Sequence, residues 1–407
     1  MATNHITEQT IRDALERDEF IYHYQPKVSL ITGKVIGAEA LIRWISTDGE
    51  IIYPNEFIPL AEQVGLINQI SCHMFRKLVR DLLIFFDLCP DLVVSFNASA
   101  NDFRDERFIR LALESLQQLK IPPRNLQIEI TESTVLSADD EIKKHILALC
   151  DTGMELAMDD YGTGYSTLDT LSQWPFTTIK LDRGIISRML DSPKSQTIVE
   201  SSIRMAHELD VNIVAEGVES DKQYQLLLES GCTKVQGYWI SLPLPLDDFI
   251  YFIQQDLRWS GLPIGLIHMA TVDHIQWRKR LVSEVVRIGA TAPDSEERKC
   301  VTHASLDHHD CRLGKWYYGV GQHFKGCPDF DAIEEPHRQF HALGAQLFEI
   351  VKSGGSVQTL TPYLSEFSLS SGLILNSLQK LEHKGLVEMH CAHKAWEEHH
   401  LYPTNPV

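Results

Sequence analysis

The chain has 407 residues, 43% of them hydrophobic and 23% charged, with a formal net charge of −19. This length suits a barrel-sized domain plus a smaller one, and the acidic balance excludes a groove for a nucleic-acid polymer, which needs clustered Lys and Arg. The richest apolar stretch, Leu82 to Phe96, is broken by Asp87, Pro90 and Asp91. It falls short of the roughly 18 uninterrupted residues of a membrane span, so none is expected. The polar, helical start, Met1 to Phe20, does not read as a signal peptide, and eight cysteines without paired spacing suit a reducing cytoplasm.

Thr7 to Arg17 predicts a short amphipathic helix. Phe20 to Leu30 predicts a strand with Gln25-Pro26 near its middle, where a proline points to an edge or a bulge. Thr32-Gly33 is a turn, and Lys34 to Trp44 reads as the partner strand, with Glu39 and Arg43 on one side of it. Helices follow over Pro54–Leu66 and Ile67–Phe86, then a strand over Leu92–Ala98 that carries Asn97. Phe108–Leu119 is a helix, Leu126–Thr131 a strand carrying Glu129 with Glu132 just after it, and Asp139–Thr152 a helix.

Met154 to Met158 is an apolar run ending at Asp159-Asp160, followed by Tyr161-Gly162-Thr163-Gly164. Neighbouring strand residues point to opposite faces, so two adjacent aspartates share a site only if the strand ends or twists there. Gly162 and Gly164 permit the twist. Thr177–Asp182 is a strand with Lys180 as its interior charge, and Ser192–Leu209 a helix. Asn212–Glu219 is a strand ending on Glu216 and Glu219, and Asp221–Ser230 a helix. Lys234–Ile240 is a last strand with Gln236, closed by a helix over Leu246–Trp259.

Strand and helix alternate throughout this stretch, which calls for a parallel sheet with covering helices. Roughly eight strands favour a closed (β/α)8 barrel over an open doubly wound sheet. The hairpin-like opening suggests that the first barrel strand is antiparallel. In such a barrel the strand ends converge on one mouth. Glu39, Asn97, Glu129, Asp159, Asp160, Lys180, Glu216, Glu219 and Gln236 lie at or near strand ends. Each alone has a structural reading as a cap, a loop charge or an ion pair, but together they suggest one site. Oxygen donors in this number suit Mg²⁺ or Mn²⁺. Adjacent aspartates could bridge two such ions, an arrangement that activates water in phosphodiester hydrolysis. Lys180 and Arg43 would add positive charge against the phosphate.

With Gln25-Pro26 upstream, Glu39-Ala40-Leu41 resembles the signature of the EAL family of cyclic di-GMP phosphodiesterases. FNAS, EITES, DDYGTGYS, IKLD, AEGVE and VQGY match in order between about Thr7 and Trp259. The resemblance implies a (β/α)8 barrel that hydrolyses cyclic di-GMP to linear pGpG with two Mg²⁺ or Mn²⁺ ions. It implies metal ligation by Glu39, Asn97, Glu129, Asp159 and Asp160. It also implies that Lys180 and Glu216 hold or deprotonate the attacking water, with Glu219 and Gln236 in the metal and water shell. Whether Glu216 is the general base stays open. Gln25, Arg43 and Asp182 match substrate-contacting positions. Glu132 matches the residue that anchors the loop from Asp160 to Ser166 and couples the site to dimerisation. The chain departs from the family pattern at Tyr161, where Phe is commoner, and in its FNAS run.

After a short linker, residues 260–265, the pattern becomes helical from Leu266 to about Gly385. His274 and Trp277 lie three apart on a first helix over Ile267–Ile288. Cys311-Arg312-Leu313-Gly314-Lys315-Trp316 follows, and a helix from Pro336 carries His337 and His341 on one face. Ser368–His383 is a last amphipathic helix. A thiolate and three imidazoles form a tetrahedral zinc set. The arrangement resembles the chemoreceptor zinc-binding domain, a four-helix bundle, and implies His274, Cys311, His337 and His341 as zinc ligands. His303, His308 and His309 lie nearby in sequence and could compete. The last stretch, 388–407, carries His390, Cys391, His393, His399 and His400 and reads as flexible and polar.

The expected domains are thus a catalytic barrel over 1–259 and a zinc-binding helical bundle over 266–387. The expected protein is a cytoplasmic homodimeric phosphodiesterase with its output tuned by zinc. Two competing readings are a catalytically silent cyclic di-GMP or zinc receptor, and an active phosphodiesterase whose zinc is purely structural.

Overall fold

A computed structural model describes residues 6–119, 121–162, 171, 173–259, 261, 264–290, 306–355 and 357–399. The chain forms two compact units, Met1–Leu227 with Cys232–Gly261, and Leu228–Gly231 with Leu262–Val407.

The strands of the first unit are β1 (Phe20–Ser29), β2 (Val35–Ile45), β3 (Ile51–Ile52), β4 (Val93–Asn97) and β5 (Leu126–Thr131), then β6 (Glu155–Tyr161), β7 (Thr178–Leu181), β8 (Asn212–Ala215), β9 (Lys234–Gln236) and β10 (Leu244–Pro245). β1, β2, β4, β5, β6, β7, β8 and β9 pair in that order, and β9 returns to β1, so the sheet closes into an eight-stranded barrel. The pairs from β2 round to β9 are parallel, and β1 is antiparallel to both of its neighbours. The (β/α)8 expectation and its reversed first strand both hold. Reversal follows from the tight turn after Ser29, where Gly33 takes a left-handed φ of 66°.

Pro26 does not mark an edge. It lies opposite Ala38 in a strand of the closed barrel, with a register shift between Lys27 and Val28. On its other side β1 pairs with β10 at His23 and Tyr24 and with β9 from Lys27 onward. The proline, which has no N–H to give, falls in the gap between those two ladders.

Helices on the outside bury one stripe each. The helix Ile67–Leu88 buries Ile70, Met74, Phe75, Leu78, Val79, Leu82 and Phe85 at three- and four-residue spacing. Phe75 meets Phe96 of β4 and Phe108 of the helix Glu106–Leu119 edge-on, with centroids 5.4 and 5.6 Å apart. Each such buried ring contributes on the order of 2–3 kcal/mol by removal from water.

Several short elements escape the sequence pattern: β3, β10 and the helices Ala100–Arg104 and Arg183–Ser187. None is long enough to show a period. β8 stops at Ala215, earlier than expected, because Gly217 turns the chain with φ 64°. Glu216 and Glu219 therefore stand on the loop above the strand.

The described helices of the second unit include Ile264–Ala290, Arg312–Tyr318, Glu334–Lys352 and Val357–His399. The three long ones pack pairwise. Phe340 stacks on Phe367 with centroids 4.2 Å apart. Gly344 lets the first helix come close, since a Cβ there would lie 2.7 Å from Leu281. The last helix is much longer than the expected Ser368–His383. It passes Gly385 and includes 388–399, which had read as flexible tail. No proline stands between Pro362 and Pro403 to stop it. Among the described residues, no helix is long and apolar enough to cross a membrane.

Candidate functional site

The centre of the barrel mouth is one ammonium. Lys180 of β7 is 1% exposed and lies within salt-bridge range of four carboxylates from four different strands or strand ends. Its Nζ is 3.4 Å from Glu39, 3.1 Å from Asp159 and 2.6 Å from Glu216, and it also donates to Glu129. Asn97 Nδ2 donates to Glu39 Oε1 at 2.8 Å. Gln236 Nε2 donates to Glu39 Oε2 at 2.7 Å and to Gln25 Oε1 at 2.9 Å. Six of the residues singled out from sequence are thereby joined to Lys180 directly or through one neighbour, and Gln25 joins them through Gln236. Glu39 reaches the cluster from the middle of β2, not from its end. That strand is long because β1 pairs with nearly all of it, placing Gln25 opposite Glu39.

The aspartate pair shows the twist its sequence required. β6 loses register with β7 between Met158 and Tyr161, Asp160 adopts a left-handed φ of 57°, and Gly162 follows at 97°. Asp159 reaches Lys180, while Asp160 is exposed at the rim. Gly164 and the rest of the loop through Ser166 lie outside the described residues. So does any partner that Glu132 finds there. Glu132 is buried, and its Oε1 meets no hydrogen-bond donor among the described residues.

The remaining expected residues stand around this centre. Arg43 is buried higher on β2, with its guanidinium 5.1 Å from the Tyr53 ring centroid. Glu219 pairs with the exposed Arg183, and both line the same cleft as Glu39 and Glu216. Asp182 caps the helix Arg183–Ser187 by accepting from the Gly184 amide at 2.9 Å. A cleft of about 240 Å³ opens beside Gln25, Glu39, Glu216, Gln236 and Tyr238.

One buried residue was missed. Lys27 of β1 is 4% exposed and donates to Ser95 Oγ at 2.6 Å and to Glu129 Oε1 at 2.7 Å. Its signal was present: it lies two residues from Gln25 on a largely apolar strand, as Arg43 lies four from Glu39.

Burial raises the proton affinity of Glu39, Asp159 and Glu216. The raised values include burial's largest contribution and repulsion among neighbouring carboxylates, against which Lys180 acts. Burial pushes Glu129 the same way, but Lys180 and Lys27 outweigh it and hold that group well below the usual range. Glu129 is thus the fixed anion of the cluster.

In the second unit, Cys311, His337 and His341 present ligand atoms within 4.8 Å of one another, all buried. Cys311 Sγ is 3.2 Å from His337 Nε2. His341 Nδ1 is 3.0 Å from the Leu306 carbonyl, which directs its other nitrogen elsewhere. His274 is not in this set: it is buried and lines one small cavity with Cys311 and His341, but its Nε2 lies 2.9 Å from Ser371 Oγ. His303 lies outside the described residues.

Comparison with known proteins adds a family. The profile described as EAL domain matches residues 8–243, more than half of the chain. The chain belongs to the EAL family. The profile described as chemoreceptor zinc-binding domain matches residues 274–348. The chain is 38% identical over 246 residues to the signaling protein YkoW of Bacillus subtilis, covering 60% of this chain and 31% of that protein. It is 34% identical over 236 residues to the cyclic di-GMP phosphodiesterase RocR of Pseudomonas aeruginosa, covering 58% of this chain and 60% of RocR. Among solved structures, the PaMucR phosphodiesterase in complex with c-di-GMP superposes with a TM-score of 0.56 at 34% identity, over 59% of this chain and 98% of that one. The chain spans about a third of the curated relatives YkoW and MucR.

The EAL barrel's donor set fits hard divalent cations. Glu39, Asn97, Glu129, Asp159 and Asp160 offer only oxygen toward them, and the buried carboxylates outnumber the two buried ammoniums beside them. The second set fits zinc. Burial holds His337 at about 2 and His341 at about 4, so both rings are neutral and able to ligate. Burial pushes the Cys311 thiol up to about 11. An ion there would have to displace its proton.

Proposed function

We propose that this chain hydrolyses one phosphodiester of cyclic di-GMP to give linear pGpG, as a cytoplasmic homodimer whose turnover zinc adjusts through the second unit. The observation that carries the reaction is the meeting of Glu39, Glu129, Asp159 and Glu216 on the single buried ammonium of Lys180. A phosphodiester anion would be repelled by so many carboxylates, so the site is built to act with divalent cations. Two Mg²⁺ or Mn²⁺ ions, held by Glu39, Asn97, Glu129, Asp159 and Asp160, would supply an activated water and positive charge toward the phosphate.

The chain's own groups divide the remaining work. Gln236 and Asn97 each donate to one oxygen of Glu39 and so fix its plane. Lys180 donates to Glu216 at 2.6 Å, and these two groups hold and receive the proton of the attacking water. Gln25 lines the cleft, and Arg43 and Asp182 would be further substrate contacts. Six described cysteines are free, which suits a reducing compartment.

Purified protein given Mn²⁺ and cyclic di-GMP should release pGpG, and Glu39→Ala should abolish the product. Turnover surviving in that variant refutes the assignment. At fixed Mn²⁺, added zinc should lower the rate. A flat response leaves zinc with a structural role alone.

A further inference from the structure

The second unit carries another group of ligand-type side chains, used neither by the reaction nor by the buried Cys/His set. Asp307, His308 and His309 offer a carboxylate oxygen and two ring nitrogens within 4.8 Å of one another. Asp307 Oδ1 is 3.0 Å from His309 Nδ1 and 3.6 Å from His308 Nδ1. Asp307 also accepts the His309 amide at 2.8 Å. That ordinary turn bond accounts for the aspartate but not for two imidazoles turned toward it.

Placement supplies the second observation. His308 is mostly buried and points inward, its ring centroid 5.9 Å from that of His337 and 6.5 Å from that of His341. Its carbonyl accepts from Cys311 Sγ at 3.6 Å. Only glycine at 314 allows this docking, since a Cβ there would lie 1.9 Å from the His308 carbonyl. His309 is more than half exposed and stacks on Tyr318, with centroids 4.4 Å apart. The three residues thus form a short path from solvent to the buried thiol.

The buried set needs such a path. Cys311, His337 and His341 are 8%, 0% and 3% exposed, so a hydrated ion cannot meet all three before losing most of its water. An outer oxygen and two nitrogens can replace some of that water while leaving coordination positions open. The thiolate within then binds the ion more tightly, giving it a reason to move on.

We propose that Asp307, His308 and His309 form a second, outer site for borderline divalent ions of the zinc and cobalt type, which captures the ion and passes it to Cys311, His337 and His341. The transfer rests on the zinc reading of the inner set; the outer site does not.

The test uses the full chain stripped of metal, with Zn²⁺ for counting and Co²⁺ for timing, because cobalt bound to the Cys311 thiolate gives a charge-transfer band. Asp307→Ala/His309→Ala should bind one weak Zn²⁺ fewer than the natural chain and keep its tight ion within about threefold in affinity. Its thiolate–cobalt band should rise about tenfold more slowly. Cys311→Ala should lose the band and the tight ion but retain the weak one. An unchanged count in the double variant overturns the outer site, and an unchanged rate overturns the transfer. A natural chain that shows no thiolate band ends the inner reading and the transfer with it, while the count still decides the outer site.

Discussion

Lys27 and Lys180 hold the two oxygens of one carboxylate between them: Glu129 Oε1 accepts from Lys27 at 2.7 Å, and Oε2 accepts from Lys180. Both ammoniums and the carboxylate are almost wholly buried. Breaking a buried pair by removing one partner typically costs about 3–5 kcal/mol. Lys27→Met should therefore lower the stability of the metal-free protein by about 3 kcal/mol. Added Mn²⁺ should restore most of that difference, because a cation at the site replaces the missing charge. Thermal unfolding with and without Mn²⁺ reads both effects. A deficit that Mn²⁺ leaves untouched would make Lys27 a packing residue only.

Asp160 combines a rim carboxylate with a left-handed backbone. Asparagine tolerates that backbone nearly as well as aspartate, whereas alanine is strained there by about 1 kcal/mol. Asp160→Asn should leave unfolding almost unchanged and weaken Mn²⁺ binding about tenfold. Asp160→Ala should show both defects. Titrating Mn²⁺ into the two variants, followed by unfolding, separates charge from conformation. Equal Mn²⁺ affinity in Asp160→Asn and the natural chain would remove Asp160 from the metal ligands.

Zinc uptake by the second unit should release protons in a specific number. Burial holds His274, His337 and His341 at about 3, 2 and 4, so none carries a proton to lose near neutrality. Cys311, pushed up to about 11 by burial, stays protonated until an ion displaces that proton. From about pH 5 to 9 the apparent affinity should rise close to tenfold per pH unit, with one proton released per ion. Below about pH 4 the histidines begin to take up protons and the loss steepens. Calorimetry in buffers of different ionisation enthalpy counts the protons, and a count near zero would show that the thiol is not a ligand.

Much of this could be read from residue types at strand ends. Charges inside apolar runs, at Glu39, Glu129 and Lys180, are costly unless they meet, and they do meet. The forced twist at Asp159-Asp160 was legible for the same reason, from two like charges followed by glycines. What escaped were features whose cause lies elsewhere in the chain. Lys27 acquires its meaning only from Glu129, about a hundred residues away, once β1 has reversed. The cap that Asp182 supplies was not legible either, because the helix it starts is too short to show a period. The Pro26 gap exists only because β9 and β10 share one side of β1.

His274 marks the place where four expected zinc ligands become three. Its Nε2 lies 2.9 Å from Ser371 Oγ, which also accepts from Arg278 at 3.1 Å, and the ring rests 4.6 Å from Phe340. To join Cys311, His337 and His341 the ring must move toward them, and the bond to Ser371 opposes that movement. Ser371→Ala should accordingly tighten zinc by about fivefold, roughly the worth of one modest hydrogen bond. His274→Ala should weaken zinc about a hundredfold, the upper end of the cost of disturbing a metal site. Competition against a chelator of known affinity measures both. If Ser371→Ala weakens zinc instead, the hydroxyl holds His274 in its ligating pose, and the ring needs no rearrangement to complete the tetrahedral set.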